Sequence, residues 1–362
     1  MKDVFITYGS LVTPLGSSVQ ENLDALKTNV SGVKVVSNSG FKGENWPLAK
    51  IDTITENRFS TLLLNSLIEL KSNFDNAILQ SEKTLFIIST TKADIENFPE
   101  DTFSVINEVL YSELGIKNKP IIVSNACISG VLAINLAADY IRLEKFIDVI
   151  VVGIDVVSEF VINGFQSLFA LSDEIARPFD KTRKGISLGE GVGIVLLSSN
   201  KRNSNFHAKY INGSSSNDAN HISGPSRTGE GLVRSINETL KRSNIEKNTI
   251  NFISAHGTGT LYNDEMESIA FQRTELNTIP MNSLKGYFGH TLGAAGVIET
   301  IVSMLSMEHN ILFQSLGFSE VGTTEKLNLI EKNEFHEINC VLKTASGFGG
   351  GNASLILVKE VK

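Results

Sequence analysis

A layered α/β fold, with helices covering sheets, is what this sequence predicts, and three observations predict it. Short runs rich in β-branched residues alternate with segments of helical period, as strands and helices packed in layers do. Several runs are apolar at nearly every position, the pattern of strands buried on both faces. The polar stretch Ser199–Asn205 divides the chain, and on each side an apolar strand leads into a turn bearing a reactive residue type. No sequence repeats, so this last feature is only a slight hint of duplication.

In chain order, the strand candidates begin with Val4–Tyr8, Thr84–Ser89 and Ile121–Ser124. The richest, Asp148–Val157, is interrupted by Gly153 and Asp155, and Val192–Ser198 closes the first half. Asn251–Ala255, Asn339–Thr344 and Ala353–Lys359 complete the set. Between them, helical patterns occupy Phe59–Leu70, Val105–Leu114, Ile128–Leu143, Gly231–Arg242, Asp264–Gln272 and Ala294–Met307. Ile128–Leu143 opens with small and apolar residues, as a helix threaded through a core would. In Gly231–Arg242, Leu232, Ile236 and Leu240 fall four apart, a one-face stripe.

With 362 residues, 41% of them hydrophobic, the chain can bury a sizeable core and is not mostly disordered. Its formal charge of −8 disfavours nucleic acid and anionic membrane as partners, since cationic side chains dominate phosphate binding. The two cysteines, Cys127 and Cys340, make neither a disulfide framework nor a structural zinc site, which fits a reducing compartment. The opening MKDVFITYGSLVTPLG lacks the apolar run of a signal peptide, and no stretch is long enough to span a membrane. A soluble cytoplasmic protein is expected.

Cys127 follows one strand candidate and precedes a buried-looking helix, where free N–H groups and the helix dipole favour thiolate. Taken alone, it reads more readily as a small core hydrophobe, the usual fate of a free cysteine and the reading given to Cys340. His256, in Ala255–Thr260, and His290, in Lys285–Gly296, lie among glycines that let backbone or ligand approach closely. Each is a candidate to donate to a developing oxyanion or move a proton, with a satisfied core histidine as the ordinary alternative. His207, His221, His309 and His336 lack such surroundings. A catalytic metal is not expected, because the two histidines are not at helical spacing and no carboxylate flanks them suitably. The glycine runs Gly189–Gly193 and Gly347–Gly351 each lead into a strand, so neither is a dinucleotide fingerprint. The later run suits a tight loop whose N–H groups face a reacting carbonyl. The earlier one reads as a plain hairpin.

Five strings together resemble the condensing enzymes of the β-ketoacyl-acyl-carrier-protein synthase I/II family, of the thiolase superfamily. They are Ser124–Gly130 (SNACISG), Arg177–Gly191 (RPFDKTRKGISLGEG), Ala255–Thr260 (AHGTGT), Lys285–His290 (KGYFGH) and Gly347–Gly350 (GFGG), in the family's order. The resemblance implies a thiolase-like duplicated α-β-α-β-α layered fold with two mixed sheets. Residues 1–200 would form the half carrying the nucleophile, and 201–362 the half carrying both histidines.

It also implies a decarboxylative Claisen condensation, in fatty-acid or specialised polyketide or polyene assembly. Cys127 would hold the acyl group as a thioester, and malonyl carrier protein would then lose CO2 and attack it. His256 and His290 would stabilise the enolate, and the N–H groups of Cys127 and Phe348 would form an oxyanion hole. Phe348 would also gate the site. Lys285 and Glu299 would act electrostatically or structurally. Thr258 and Thr260 would bind the phosphopantetheine arm, with Ile128 and Gly349 also on the substrate side. No cofactor is implied beyond the phosphopantetheine of the acyl carrier protein. The implied partners are that carrier and a second copy of the chain or another ketosynthase-like subunit. A thiolase-like, CoA-dependent transferase and a non-catalytic partner resembling a chain-length factor are the alternatives.

Departures from the family pattern fall ahead of the nucleophile and on the docking surface. The stretch before Cys127 is short, and little before Lys83 aligns beyond Val4–Gly16. Where the family carries a basic helix for the acidic carrier, only Arg58 stands within Glu56–Leu64, and Phe169 replaces a second docking arginine. Lys181, Arg183 and Lys184 remain.

Overall fold

The computed structural model describes residues 2–202, 208–218 and 224–360. Ten strands form the principal sheet: β1 (Val4–Val12), β2 (Thr84–Ser89), β3 (Ile121–Val123), β4 (Asp148–Asp155), β5 (Gly191–Ser198), β6 (Ala208–Asn217), β7 (Phe252–Ser254), β8 (Met281–Asn282), β9 (Cys340–Gly347) and β10 (Gly351–Lys359). Their order is β8-β7-β9-β10-β6-β1-β5-β4-β2-β3. The first five strands follow the order β1-β5-β4-β2-β3, with two antiparallel pairings and then two parallel ones. The last five repeat that order and those senses as β6-β10-β9-β7-β8. The plan is therefore duplicated, and the two mixed sets meet where Val4, Phe5 and Ile6 pair with Tyr210, Lys209 and Ala208.

Eight strands lie where the sequence places them, within a few residues. Of the other two, β8 has only two residues, and β6 is not legible as a strand: AKYINGSSSN is polar and contains the poor strand formers Gly, Ser and Asn. It forms because β1 and β10 satisfy its backbone on both sides. Two helices also escape the periodicity, α1 (Val19–Lys27), capped by Ser18, and α4 (Glu159–Ser167), capped by Ser158.

The helices α2 (Arg58–Asn73) and α5 (Glu230–Ser243) cover the outer faces of the first and second sets of strands. The helices α3 (Ser129–Arg142) and α8 (Ala295–His309) lie between the sets and contact strands of both, giving the five layers of a thiolase-like fold. Their apolar sides form one continuous core with both sets, including Val131, Ile134, Val297 and Ile301. The two inner helices touch at Gly130 and Gly296. A Cβ on Gly130 would stand 2.9 Å from the Gly296 Cα, and one on Gly296 would stand 2.6 Å from the Val131 nitrogen. This close approach holds the start of α3, beside Cys127, against the start of α8, just beyond His290. Among the described residues no helix is long and apolar enough to cross a membrane.

Candidate active site

The chain leaves β3 and turns sharply before α3. Ala126 sits at φ +45°, a left-handed conformation that disfavours a Cβ, and Cys127 follows it. Ser129 fixes the turn, accepting from the Asn125 N–H at 2.7 Å and donating to the Ala126 carbonyl at 2.6 Å. Cys127 is 7% exposed, at the inner end of a cavity of about 390 Å³.

His256 follows β7. The carboxylate of Glu267, on α6 (Leu261–Arg273), accepts the N–H groups of His256 at 2.9 Å and Gly257 at 2.6 Å. One turn earlier, Asp264 accepts from Thr258 at 2.9 Å and, across the fold, from Phe179 at 2.7 Å. Burial raises the pKa of Asp264, and burial followed by the nearby Asp264 charge pushes Glu267 up to about 7.

His290 follows the short helix α7 (Lys285–Phe288) and is pinned by backbone, its N–H donating to the Ser187 carbonyl at 2.7 Å and its carbonyl accepting from Gly189 at 3.0 Å. Here the reading of Gly189–Gly193 as a plain hairpin fails. A Cβ on Gly189 would lie 1.9 Å from the Phe288 carbonyl oxygen, so the glycine exists to let the two backbones meet.

These turns bring Cys127, His256 and His290 together. The His290 Nε2 lies 2.9 Å from the Cys127 Sγ, and the two imidazoles meet edge to face with centroids 5.2 Å apart. One ligating atom from each residue lies within 4.8 Å of the others. That spacing could also hold a metal ion, although an ion there would compete with the thiol–imidazole hydrogen bond.

Lys285 is wholly buried beneath His256. Its ammonium has three protons and three acceptors: the His256 Nδ1 at 3.3 Å, the His256 carbonyl and the Glu299 Oε1 at 2.9 Å. An ammonium only donates, so the His256 Nδ1 accepts and its Nε2 carries the proton facing the site. Burial, then the Lys285 charge, holds both histidines well below the ordinary imidazole range, so both are neutral. The helix terminus was expected to favour thiolate at Cys127. Burial instead pushes the thiol up to about 11, with Lys285 pulling against it, and outweighs the helix end. The Phe348 N–H hydrogen-bonds the Cys127 sulfur, and the Phe348 ring stacks on Phe165 at 5.5 Å.

Thr258 and Thr260 line the cavity, their hydroxyls 2.8 Å apart. Ile128 and Gly349 do not line it. Ile128 points into the central core, and Gly349, at φ +81°, presents its carbonyl to Asn217. Cys340 is buried in β9, and its thiol is pushed up to about 12 by burial. His309 is exposed at the end of α8 and His336 lies outside the cavity, whereas His207 and His221 fall outside the described residues.

The basic residues expected at the surface are otherwise engaged. Arg58 is buried and paired with Glu190, which also accepts from the Ile51 N–H at 2.7 Å and the Val157 N–H at 3.0 Å. Lys181 pairs with Glu320 at 2.9 Å, Lys184 with Glu174 at 2.8 Å, and Arg183 is buried against Asp264. Around the cavity mouth stand apolar side chains instead: Phe169, 94% exposed, Tyr262, 79% exposed, and Leu168 and Leu261.

Sequence reasoning missed the carboxylates Asp264 and Glu267, which stand three apart on a helix directly after the His256 turn. It also missed Asp155, whose carboxylate accepts from the Thr91 N–H at 2.9 Å and the Gly293 N–H at 2.7 Å beside His290. Lys343 went unnoticed as well. Asp155 and Lys343 are each a charge inside an apolar run, which is the signal that could have found them.

Comparison with known proteins bears on this geometry. A model described as the N-terminal domain of β-ketoacyl synthase matches residues 89–203, and one described as its C-terminal domain matches residues 208–319. The 3-oxoacyl-acyl-carrier-protein synthase 2 of Rhizobium meliloti (strain 1021) is 36% identical over 252 residues, 65% of this chain. The match spans 59% of that relative's length, less than two-thirds. Among solved structures, the ketosynthase ApeO in complex with its chain length factor ApeC, from Xenorhabdus doucetiae, superimposes with a TM-score of 0.89 at 27% identity, covering 99% of this chain and 98% of that one. The AntDE:AntF structure, a type II polyketide acyl-carrier protein in complex with its ketosynthase, shares the fold with a TM-score of 0.87 at 23% identity, covering 99% of this chain and 100% of that one.

Proposed function

The chain belongs to the β-ketoacyl synthase family, of the fatty-acid and polyketide condensing enzymes, and on that premise we propose that it is an active 3-oxoacyl-acyl-carrier-protein synthase. One observation carries the reading: Cys127, His256 and His290, from distant parts of the chain, converge at the inner end of one cavity.

In the first stage the Cys127 sulfur attacks an acyl thioester on the phosphopantetheine of an acyl carrier protein. The thiol proton passes to the His290 Nε2 as the S–C bond forms, then to the departing carrier thiolate as the old thioester breaks. The Cys127 and Phe348 N–H groups receive the carbonyl oxygen as it becomes negative. In the second stage malonyl carrier protein occupies the cavity, with Thr258 and Thr260 beside its arm and Phe348 at the gate. Its C–CO2 bond breaks, and the electron pair goes to the thioester oxygen held by the His256 Nε2–H and, after its ring proton has moved from Nδ1, by the His290 Nε2–H. The enolate carbon attacks the acyl-Cys127 carbonyl, forming the new C–C bond and releasing the cysteine sulfur, which takes a proton from water. Neutral imidazoles suit this task, because each offers a proton to the oxygen without a fixed charge that would hold the malonyl carboxylate in place.

The carrier approaches through an apolar mouth. Arg58, on the helix expected to receive it, is buried, which leaves Phe169, Tyr262, Leu168 and Leu261 as its contact. A homodimer, or a heterodimer with a second ketosynthase-like subunit, completes the reading, with the half-exposed edge strand β3 available for pairing.

A non-catalytic partner resembling a chain-length factor is the alternative, favoured by the engaged basic residues and opposed by the complete trio. Incubating the purified chain with acyl carrier protein thioesters should add one acyl mass at Cys127 and, with malonyl carrier, yield a β-ketoacyl product. Failure of both unless a second subunit is supplied would favour the alternative, and full activity with CoA thioesters would make it a CoA-dependent transferase.

A further inference from the structure

Lys343, on β9, is a wholly buried lysine that the condensation scheme does not use. Its ammonium donates to the Ser254 carbonyl at 3.2 Å and to the Thr344 carbonyl, both in strands or turns leading to the site. Its other contacts are the Ala255 carbonyl at 3.5 Å and the Glu299 Oε2 at 2.7 Å, while Lys285 holds the other oxygen of the same carboxylate at 2.9 Å. Glu299 is thus shared by two lysines. Burial works against its ionisation, but Lys285 and Lys343 outweigh that and hold its pKa below the ordinary carboxylate range. A lysine and a glutamate alone would cancel; Lys–Glu–Lys leaves one positive charge uncompensated.

We propose that Lys343 is a positioning residue whose charge, added through Glu299, holds His256 in the tautomer that donates from Nε2 to the substrate oxygen. With Glu299 shared between two lysines, Lys285 is not half of an isolated pair as it faces the His256 Nδ1. The charge also lies where the enolate develops its negative charge, inside a dry core where such a field is poorly screened. This inference rests on the condensing-enzyme reading for its catalytic meaning, though not for its electrostatic content.

The other charged and titratable groups around the site do not supply this charge to His256. Glu267 and Asp264, on α6, lie beneath the His256 backbone, and Arg183 faces Asp264. Asp155 and Lys92, paired at 3.3 Å, flank the His290 loop, and Cys127 is a thiol. Lys92 acts on His290 and not on His256, and the remaining groups offset one another or are negative.

The test replaces the charge and keeps the length. In Lys343→Met the acid limb of malonyl-carrier decarboxylation should move up by about one pH unit or more, as His256 protonates more readily. The double variant Lys343→Met/Glu299→Gln restores a cluster charge of one and should return the limb toward wild type. Imidazole titration by 15N NMR needs no activity, and in Lys343→Met His256 should titrate at higher pH than in the unaltered protein. Lys343→Gln, which keeps donors for the backbone carbonyls, serves if methionine prevents folding. An acid limb and a His256 titration that stay in place overturn the proposal, even if the rate falls. Absence of CO2 release from the unaltered protein would instead remove the condensing reading, and the NMR result would still decide the role of Lys343.

Discussion

The His290 Nε2 lies 2.9 Å from the Cys127 Sγ, across 163 positions of sequence, and both groups are uncharged at rest. A buried neutral pair of this kind does not store a thiolate. The sulfur becomes nucleophilic only as its proton is taken during attack, so the site couples ionisation to the arrival of a thioester.

This predicts sluggish alkylation. With the thiol pushed up to about 11, iodoacetamide should modify Cys127 slowly near neutral pH, the rate rising about tenfold per pH unit until the thiol titrates. The sign follows from the direction: a raised thiol pKa leaves less thiolate below it. A pH–rate profile of alkylation, read by peptide mass, checks this, and a plateau reached by pH 8 would show an activated thiolate instead.

The two histidines should separate by stage. His256→Ala removes an oxyanion donor and should lower CO2 release on the order of 100-fold while leaving acyl loading of Cys127 nearly intact. His290→Ala should slow both, because its Nε2 also faces the sulfur. Loading followed by intact mass, and decarboxylation followed by labelled CO2, measure the two steps. Equal loss of loading in both variants would refute the division of labour.

Much of this site was legible because its strings are local: a cysteine, two histidines and their glycines each sit in a turn whose sequence advertises it. What was not legible depends on distance. Arg58 reads as a surface cation in Glu56–Leu64, and only the fold reveals Glu190, 132 positions away, as its buried partner. Ile128 reads as pocket lining because it adjoins the nucleophile, yet the turn into α3 sends it to the core. Strand β6 was invisible for a related reason, since neighbours distant in sequence supply its stability. The shared carboxylate of Glu299 joins residues from α7, α8 and β9, which no single motif contains.

Arg58 should therefore matter for stability and not for carrier recognition. Arg58→Ala leaves the Glu190 carboxylate buried without its cation, a loss that typically costs about 3–5 kcal/mol. Chemical denaturation should show a lower midpoint, while KM for the carrier in the folded fraction stays within about twofold. Preserved stability with a large rise in KM would return Arg58 to the surface role its sequence position suggests.

The mouth makes the opposite prediction. Phe169 is 94% exposed and held at φ +54°, a left-handed conformation unfavourable for a side chain with a Cβ, and Tyr262 stands 79% exposed on the same cavity. Burying such a ring is worth about 1.5–3 kcal/mol, so Phe169→Ser and Tyr262→Ser should each raise KM for malonyl carrier roughly tenfold or more with little change in kcat. Loading from a short pantetheine thioester, which has no carrier to dock, should be unaffected. Because Lys181 and Lys184 already pair with Glu320 and Glu174, raising salt should weaken carrier binding only slightly. Exposed Arg227, two residues past Pro225 on the cavity lining, provides the contrast. A steep salt dependence lost in Arg227→Ala, with the two aromatic variants unchanged, would mean that the carrier is recognised by charge after all.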